Sequence, residues 1–419
     1  MSHPAREVVV MVATSYPRFP GDGVGSFMEP IAKGVAALGH EVHLVAPWHP
    51  AITRGTSEDG VHFHFFHYAP VASLNVFGYA SGLRADTELR AAAWIAAPMA
   101  MAAGWFKAWR VATKRRATVM HAHWVIPGGV MAAAATGALP LVVSLHGSDV
   151  FVAERNAMIG RIARGVFARA GAVTACSDDL HQRALALGAP AASTVTVPYG
   201  VDTLRFAPDA ARRATVRQAH GVGDAPLVFT AGRLVSKKGF EFLIDATRQL
   251  QATMPGVRVM IAGEGDLAAV LHQRAHGLPI TLLGNQTQDD IAGLVAAADI
   301  VAVPSIRDDA GNVDGLPNFA LEALASGTPV VATRAGGLPQ AITDRENGRL
   351  VDERDVDGMA EAIVETWQRP DRGRGLGDAA RSRVVRNHSW ATTAGRMVDA
   401  YRTARDRRHA STDRSGQTR

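Results

Sequence analysis

The residues best suited to chemistry in the second half of the chain are two cations. Arg233 and Lys238 lie in the segment AGRLVSKKGF, directly after a short apolar run. A planar guanidinium and a point-charged ammonium together suit the binding of a diphosphate. Two solvated surface cations ahead of a helix explain this segment, taken alone, equally well.

A pair of carboxylates follows later, in PSIRDDAGNVDGLPNFALEAL. Asp314 and Glu322 are eight residues apart. The residues between them begin with a turn that opens a helix, formed by Gly315, Leu316, Pro317 and Asn318. Amides in the first turn of a helix attract anions, and a carboxylate further along can accept hydrogen bonds from a diol such as that of ribose. A solvated helix carboxylate is the alternative, although the Ala and Leu neighbours of Glu322 predict partial burial.

The first half contributes histidines. His146 follows the apolar run Leu141–Leu145 in SLHGSD, and a hydrogen-bonded loop histidine is the alternative to a role in a site. His121 and His123 share one face of the run Val119–His123, as two metal ligands would. The sequence offers no convincing third carboxylate ligand, so we expect no bound metal.

A glycine-rich loop, TSYPRFPGDGVGSF, also lies in the first half. Gly21, Gly23 and Gly25 precede a helix that we expect to begin near Ser26. Glycines let the backbone approach a phosphate at a helix N-terminus. The loop matches neither G-x-G-x-x-G nor a Walker P-loop, so a structural turn explains it equally well.

All of these groups follow predicted strands. In the first half the strands are Glu7–Ala13, Glu41–Ala46, Val61–Phe66, Val119–His123, Leu141–Leu145, Ala172–Ala175 and Thr194–Val197. In the second half they are Leu227–Ala231, Val257–Ala262, Ile280–Leu283, Ile300–Val303, Val330–Ala332 and Arg349–Val351. Strands that alternate with Ala-rich helices predict parallel sheets, whose ligands bind beyond the carboxyl ends of the strands. The sequence therefore predicts an α/β protein of two facing Rossmann-like domains with a cleft between them.

The 419 residues divide at a hinge, Pro198–Asp209, which contains two prolines and a glycine. We expect an N-terminal acceptor-side domain over 1–200 and a C-terminal nucleotide-sugar-binding domain over 201–388, on the resemblance given below. A helix over 389–405 should pack back across the hinge. Residues 406–419 should form a disordered basic tail.

Composition excludes several classes of protein. Most of the net charge of +5 falls at the C-terminal end, where six Arg and two Asp follow from Arg402 onward. The chain has no zinc-finger spacing and no basic-zipper heptads, so nucleic acid is not an expected partner. A single cysteine, Cys176, and an N-terminus without an apolar signal core favour a cytoplasmic protein.

One predicted helix mixes aromatic and basic residues ahead of Val119. These residues are Trp94, Trp105, Phe106, Lys107, Trp109, Arg110, Lys114, Arg115 and Arg116. An ordinary helix with apolar residues inward and cations outward is the favoured interpretation. Peripheral contact with an anionic membrane, on its inner face, is the alternative.

The segments HGSD, AGRLVSKKG, AGEGD and DGLPNFALEAL together, in this order along the chain, resemble the retaining, nucleotide-sugar-dependent glycosyltransferases of family 4, which have the GT-B fold. The resemblance covers residues 7 to 405. It implies transfer of a sugar from a UDP- or GDP-linked donor to a hydroxyl of a glycan or lipid-linked acceptor, with no cofactor and no metal. Another GT-B enzyme, such as a phosphorylase or a nucleotide-sugar epimerase, remains an alternative, as do a metal-dependent hydrolase using His121 and His123 and a non-catalytic sugar-nucleotide binding protein.

The resemblance also implies roles for individual residues. It assigns Glu322 to the ribose, Arg233 and Lys238 to the diphosphate, and His146 and Asp314 to the donor sugar. The nucleoside pocket would contain Gly263, Glu264, Leu283 and Gly284, and Gly23 would be the second of the paired glycines after the first strand.

The sequence departs from the family pattern at three positions. Asp314 stands where the family has a Glu, and Asp22 stands in place of the first paired glycine. Gln340 replaces the Glu of a common GG-x-P-E run.

Overall fold

The computed structural model describes residues 6–69, 75, 78–79, 83–84, 88–89 and 91–416; of 83–84, 88–89, 91–95 and 411–416 it describes the backbone alone. The chain divides into two compact units. The first consists of Met1–Pro198 together with Trp390–Arg419, and the second of Tyr199–Ser389.

The first unit is built on a largely parallel sheet. The strands of the unit are β1 (Val8–Val12), β2 (Glu41–Pro47), β3 (Ser57–Glu58), β4 (Val61–Phe66), β5 (Leu83–Arg84), β6 (Glu88–Leu89), β7 (Val119–His123), β8 (Leu141–Leu145), β9 (Ala172–Ala175) and β10 (Thr194–Thr196). β5 and β6 form a separate two-stranded antiparallel sheet. The sheet order is β10-β9-β8-β7-β1-β2-β4-β3, and within it only β3 runs antiparallel to its neighbour. β7, β8 and β9 are buried along their whole length, as strands are in a sheet covered on both faces, although each contains one or two polar residues.

Helices connect these strands. They are α1 (Met28–Ala37), α2 (Ala91–Arg115), α3 (Val130–Ala135), α4 (Ser148–Arg155), α5 (Ala157–Arg169) and α6 (Asp178–Ala186). Asn156 caps α5, because its side chain accepts from the amides of Met158 and Ile159. α1 begins two residues after the predicted Ser26, where the Met28 amide donates to the Gly25 carbonyl.

The second unit is a fully parallel sheet. Its strands are β11 (Leu227–Ala231), β12 (Arg258–Ala262), β13 (Ile280–Gly284), β14 (Ile300–Val303), β15 (Val330–Thr333) and β16 (Arg349–Val351). The order β13-β12-β11-β14-β15-β16 reverses between β11 and β14. In open sheets of this order, ligands bind at the carboxyl ends of the strands at that reversal.

The helices of this unit are α7 (Ala210–Ala219), α8 (Phe240–Thr253), α9 (Ala268–Arg274), α10 (Gln288–Ala297), α11 (Asn318–Ala325), α12 (Leu338–Ala341), α13 (Val356–Gln368) and α14 (Arg374–Asn387). Thr287 and Asp290 form a reciprocal capping box at the start of α10, and Asp355 caps α13. The core of the unit lies where α8 and α13 pack on the sheet.

The last helix, α15 (Trp390–Gly416), belongs to the first unit and packs against α1. Residues 406–416 are therefore helical, which corrects the expectation of a disordered tail. No Gly or Pro interrupts the chain between Arg396 and Gly416, so the helix can continue. Arg407 donates a hydrogen bond to the Ser193 hydroxyl, which ties part of the basic segment to the unit. Residues 417–419 lie outside the described residues.

Every predicted strand is present, with ends displaced by no more than one residue. β3, β5 and β6 were not predicted, because strands of two residues carry no alternation of polar and apolar side chains. The expectation for α2 is wrong in one respect, since Trp105, Phe106 and Trp109 point to solvent and not to the core. No described helix is both long enough and apolar enough to cross a bilayer.

Candidate functional site

A carboxylate in the second unit holds two lysines beside the point where the strand order reverses. Asp314 lies in the loop after β14, and its oxygens are 2.6 Å from Nζ of Lys238 and 3.2 Å from Nζ of Lys237. Burial alone would raise the pKa of Asp314. The charges and hydrogen bonds of Lys238 and Lys237 outweigh burial and hold this pKa well below its usual range. Asp314 is therefore ionised at neutral pH.

Local backbone geometry brings the lysines to this carboxylate. Both lie in a single 3₁₀ turn after β11, which ends at Gly239 with φ of +62°. A Cβ on Gly239 would lie 2.0 Å from the Pro304 carbonyl oxygen. The Ile306 amide donates to the Lys237 carbonyl at 2.9 Å. The turn thus packs directly on the segment that follows β14, and only glycine permits that approach.

Glu322 lies on α11 and is half-buried between Leu321 and Ala323, which are fully buried. Burial raises the pKa of its carboxyl to about 7, against the opposing charges of Arg205 and Lys238. The side chain can therefore be ionised or protonated near neutral pH. A carboxylate in this state can change protonation when a ligand donates hydrogen bonds to it.

The turn before α11 lies close to Lys238. Lys238 and Pro317 line the same small pocket, together with Phe319. α11 begins after Pro317 with no side-chain cap on its first-turn amides. An ammonium group beside the amides of a helix N-terminus is an arrangement that attracts a phosphate.

Three neighbouring loops of the same edge are tied by backbone hydrogen bonds. The Gly263 amide donates to the Gly284 carbonyl at 2.8 Å, and the Leu234 amide donates to the Glu264 carbonyl at 2.8 Å. Arg233 is exposed on the first of these loops. The Leu283 carbonyl accepts from Nε2 of Gln286 at 2.9 Å. The loops after β11, β12 and β13 thus form one connected layer.

The first unit places neutral rings at its strand ends. His121 and His123 on β7 are completely buried, and His146 follows β8 and is half-buried. Nδ1 of His123 is 3.0 Å from Nε2 of His146. The His146 ring also lies 4.7 Å from the ring of Phe27 and 4.8 Å from that of Trp124. His146 is therefore held by rings from two segments, the one that contains Phe27 and the end of β7 with the following Trp124.

These imidazoles are neutral at pH 7. Burial, with a smaller contribution from His121, lowers the pKa of His146 to about 3. Burial also lowers the pKa of His123 well below its usual value. Nε2 of His123 has no hydrogen-bond partner among the described residues. Because an orphaned acceptor costs less than an orphaned donor, we assign the proton to Nδ1 of His123, which then donates to His146.

His121 is a structural residue in this arrangement. Its Nδ1 lies 2.9 Å from the Tyr401 hydroxyl, and its Nε2 lies 2.8 Å from the Ser144 hydroxyl. Both ring nitrogens are thus engaged with protein groups. No three metal-ligating side chains are arranged to hold an ion in the part of the chain that the structure describes. The geometry does not favour a metal centre built on His121 and His123.

The glycine loop after β1 is organised by Asp22. Its carboxylate accepts from Nε of Arg18 at 2.6 Å and from the backbone amide of Arg18 at 2.9 Å. Asp22 therefore stabilises the turn by accepting hydrogen bonds from Arg18 of the same loop. Gly23 is exposed, with open space where a Cβ would be, so packing within the unit does not explain a glycine there.

The chain matches two family models. Residues 22–200 match a glycosyl transferase 4-like domain, and residues 225–369 match glycosyl transferases group 1. A GDP-mannose-dependent alpha-(1-6)-phosphatidylinositol monomannoside mannosyltransferase of Mycobacterium tuberculosis is 34% identical over 275 residues, which cover 64% of this chain and 70% of the relative. The chain belongs to the family 4 glycosyltransferases.

Two further relatives of this glycosyltransferase match nearly the whole chain. A glycogen synthase of Mycobacterium tuberculosis is 28% identical over 415 residues, 95% of each chain. The crystal structure of Anabaena HepE in complex with UDP and glucose superimposes with a TM-score of 0.73 at 20% identity, covering 94% of this chain and 98% of that chain. The fold is GT-B.

Sequence reasoning missed several residues that contact Asp314 in the second unit or the histidines in the first unit. Lys237 shares the Asp314 carboxylate with Lys238, and its only signal was the doubled lysine in SKKG. Phe27 and Trp124 pack on His146, and Tyr401 reaches His121 from α15. These contacts join residues far apart in sequence, so no local spacing could reveal them.

Proposed function

We propose that this glycosyltransferase moves a sugar from a UDP- or GDP-linked donor to a hydroxyl of a glycan or lipid-linked acceptor, with retention of configuration and without a metal or other cofactor. The observation that carries the proposal is the cluster of Asp314, Lys237 and Lys238 beside the N-terminus of α11. Fixed positive charge at a strand-end switch point suits a diphosphate.

The second unit would bind the donor through its nucleotide. Arg233 and Lys238 would hold the diphosphate, with the amides of the turn Gly315–Asn318 adding donors at the helix terminus. Glu322 would accept hydrogen bonds from the ribose hydroxyls. The connected layer that contains Gly263, Glu264, Leu283 and Gly284 would border the nucleoside.

The reaction breaks the bond between the anomeric carbon and the diphosphate oxygen and forms a bond to the acceptor oxygen. The proton of the acceptor hydroxyl passes to the departing diphosphate, so charge and atoms balance. The protein would contribute by positioning the reactants and by stabilising the negative charge that develops on the diphosphate. Neutral His146 would orient the donor sugar, and Asp314 would contact it.

The relatives suggest which donor to try first. The mycobacterial mannosyltransferase is named for its dependence on GDP-mannose, and the HepE structure contains UDP and glucose. We therefore propose GDP-mannose and UDP-glucose as the leading candidates. Cys176 is buried and is the single cysteine of the sequence, which leaves it no second cysteine within the chain for a disulfide; we propose a cytoplasmic location on this ground.

Thermal stabilisation by a panel of UDP-, GDP- and ADP-linked sugars tests donor binding. A donor at 100 times its dissociation constant should stabilise the protein by about 2.7 kcal/mol. The stabilising donor is then assayed for transfer to glycan and lipid-linked acceptors with a chelator present, and the new linkage is examined by NMR. Lack of stabilisation by any donor would contradict the proposal. Loss of activity on chelation would contradict the metal-free part, and an inverted linkage would contradict retention.

A further inference from the structure

The helix α2 turns its smallest residues toward the protein. Ala96, Ala100, Gly104 and Ala108 are buried at intervals of four residues. A Cβ on Gly104 would lie 2.2 Å from Sδ of Met131, which shows how closely the helix packs on α3. The four-residue spacing places all of these residues on one face. Val111 is buried on the same face, so the inward side of α2 consists of small and medium-sized residues.

The large apolar residues of α2 lie on the opposite, solvent-facing side. Met99, Trp105, Phe106 and Trp109 are 37%, 42%, 50% and 47% exposed. At 3.6 residues per turn they fall within an arc of about 120°. The rings of Phe106 and Trp109 lie 5.8 Å apart. The side chain of Trp94 is outside the described residues.

The charged residues of α2, and Arg116 directly after it, are all basic. Arg110, Lys114, Arg115 and Arg116 are exposed, and Lys107 is half-buried. No Asp or Glu occurs anywhere between residues 91 and 116. Large exposed apolar side chains that share a helix with exposed cations are unusual on a surface that has only water as a neighbour. The large apolar residues of α2 thus face solvent together with cations, and a partner that is both apolar and anionic would complement them.

We propose that this face of α2, defined by Met99, Trp105, Phe106 and Trp109 together with the basic residues of the helix, docks on an anionic lipid bilayer. Tryptophan rings favour the boundary between headgroups and acyl chains, and the cations would pair with lipid phosphates. A second copy of this chain fits less well, because its identical face would bring like charges together. The proposal concerns binding alone and does not depend on the proposed transfer reaction.

Sedimentation of the full chain with vesicles tests the proposal. Vesicles of equal parts phosphatidylglycerol and phosphatidylcholine should bind the protein at low salt, and vesicles of phosphatidylcholine alone should bind it at least tenfold more weakly. The triple variant Trp105→Ser, Phe106→Ser, Trp109→Ser should bind the anionic vesicles at least tenfold more weakly than the wild type. Tryptophan fluorescence should shift to the blue when the wild type binds.

The matched control removes exposed apolar residues elsewhere. Val270 and Val385 are 55% and 43% exposed in the second unit, so Val270→Ser with Val385→Ser should bind vesicles as the wild type does. Thermal unfolding and donor binding report whether the triple variant is folded, and the single change Trp105→Ser gives a milder test. Failure of the wild type to bind anionic vesicles would overturn the proposal, as would equal binding by the folded triple variant. A wild-type dimer that the serine changes dissociate would overturn it in favour of self-association.

Discussion

The strand ends of the two units carry different kinds of chemistry. In the second unit they carry ionised groups, with Asp314 held between Lys237 and Lys238. In the first unit they carry imidazoles that burial keeps neutral, with His146 bound to His123. Fixed charges can stabilise a diphosphate, whereas neutral donors and acceptors suit the hydroxyls of a sugar. Substitutions in the second unit should therefore change donor affinity, and those in the first should change turnover.

The largest effects are expected at Arg233 and Glu322. Arg233→Ala and Glu322→Ala should each lower kcat/KM by about 100-fold, because each leaves a charged ligand group or a ribose diol without its partner, at about 1.5–3 kcal/mol for each lost bond. Steady-state kinetics with the best donor of the panel measure this change. Glu361→Ala, at an exposed helical position, is the matched control and should be unchanged. Wild-type turnover by both folded variants would remove these residues from the site.

The next effect is in the first unit. His146→Ala should lower kcat by about 10- to 100-fold, since it removes one or two hydrogen bonds made as the sugar reacts. The Kd of the nucleoside diphosphate alone should stay within about twofold, because no charge is lost. Stopped assays for kcat and calorimetry for Kd separate the two quantities. His272→Ala, at an exposed position, serves as control. A large loss of nucleoside diphosphate binding in His146→Ala would break the division between the two units.

A smaller effect of opposite sign is expected at Asp314. Asp314→Asn removes the carboxylate that neutralises Lys237 and Lys238, so free nucleoside diphosphate should bind up to about tenfold more tightly. Turnover should fall, since the proposed contact with the sugar is altered. Calorimetry with UDP and GDP measures the affinity, with Asp309→Asn as control because that residue is 94% exposed and paired with Arg354. Weaker binding would show that Asp314 chiefly positions the lysines.

The comparison also shows what a sequence can establish. The strands were predictable because buried parallel strands are near-continuous apolar runs, such as LVVSL in β8 and IVAV in β14. Arg233, Lys238, Asp314 and His146 lie in segments that follow strands, as the rule for strand ends led us to expect, and Glu322 lies on α11; their roles in a site stay predictions. The assignment of the chain to a family rested on several motifs in a fixed order.

The pairing of these residues was not predictable. Spacing placed Asp314 and Lys238 on different loops, and only the close approach at Gly239 brings them to 2.6 Å. Gly336 permits a second close approach, to the backbone of Asp314, because a Cβ at this position would lie 2.0 Å from the Asp314 carbonyl oxygen. The outward face of α2 escaped sequence reasoning because helical periodicity shows that a face exists without showing which way it turns. Long-range packing decides both features.

The smallest effect concerns stability of the protein without ligand, and it tests the environment of Glu322. Burial raises the pKa of this carboxyl to about 7, above its ordinary value of 4.5. Below pH 4.5 the group is protonated in both the folded and the unfolded chain, so it costs nothing. Between pH 4.5 and about 7 the unfolded chain ionises this carboxyl while burial keeps it protonated in the folded protein, so stability falls over this range and the full loss is present above pH 7. Glu322→Gln cannot ionise, so its advantage over the wild type should grow from near zero at pH 4 to about 1 kcal/mol at pH 8.5, with the half-exposed position limiting the size. Thermal unfolding should show the variant about 2–4 °C higher at pH 8.5 only. Equal differences at both pH values would mean that Glu322 is not held in a buried environment, and the second unit would then offer less support for the proposed contact between Glu322 and the ribose.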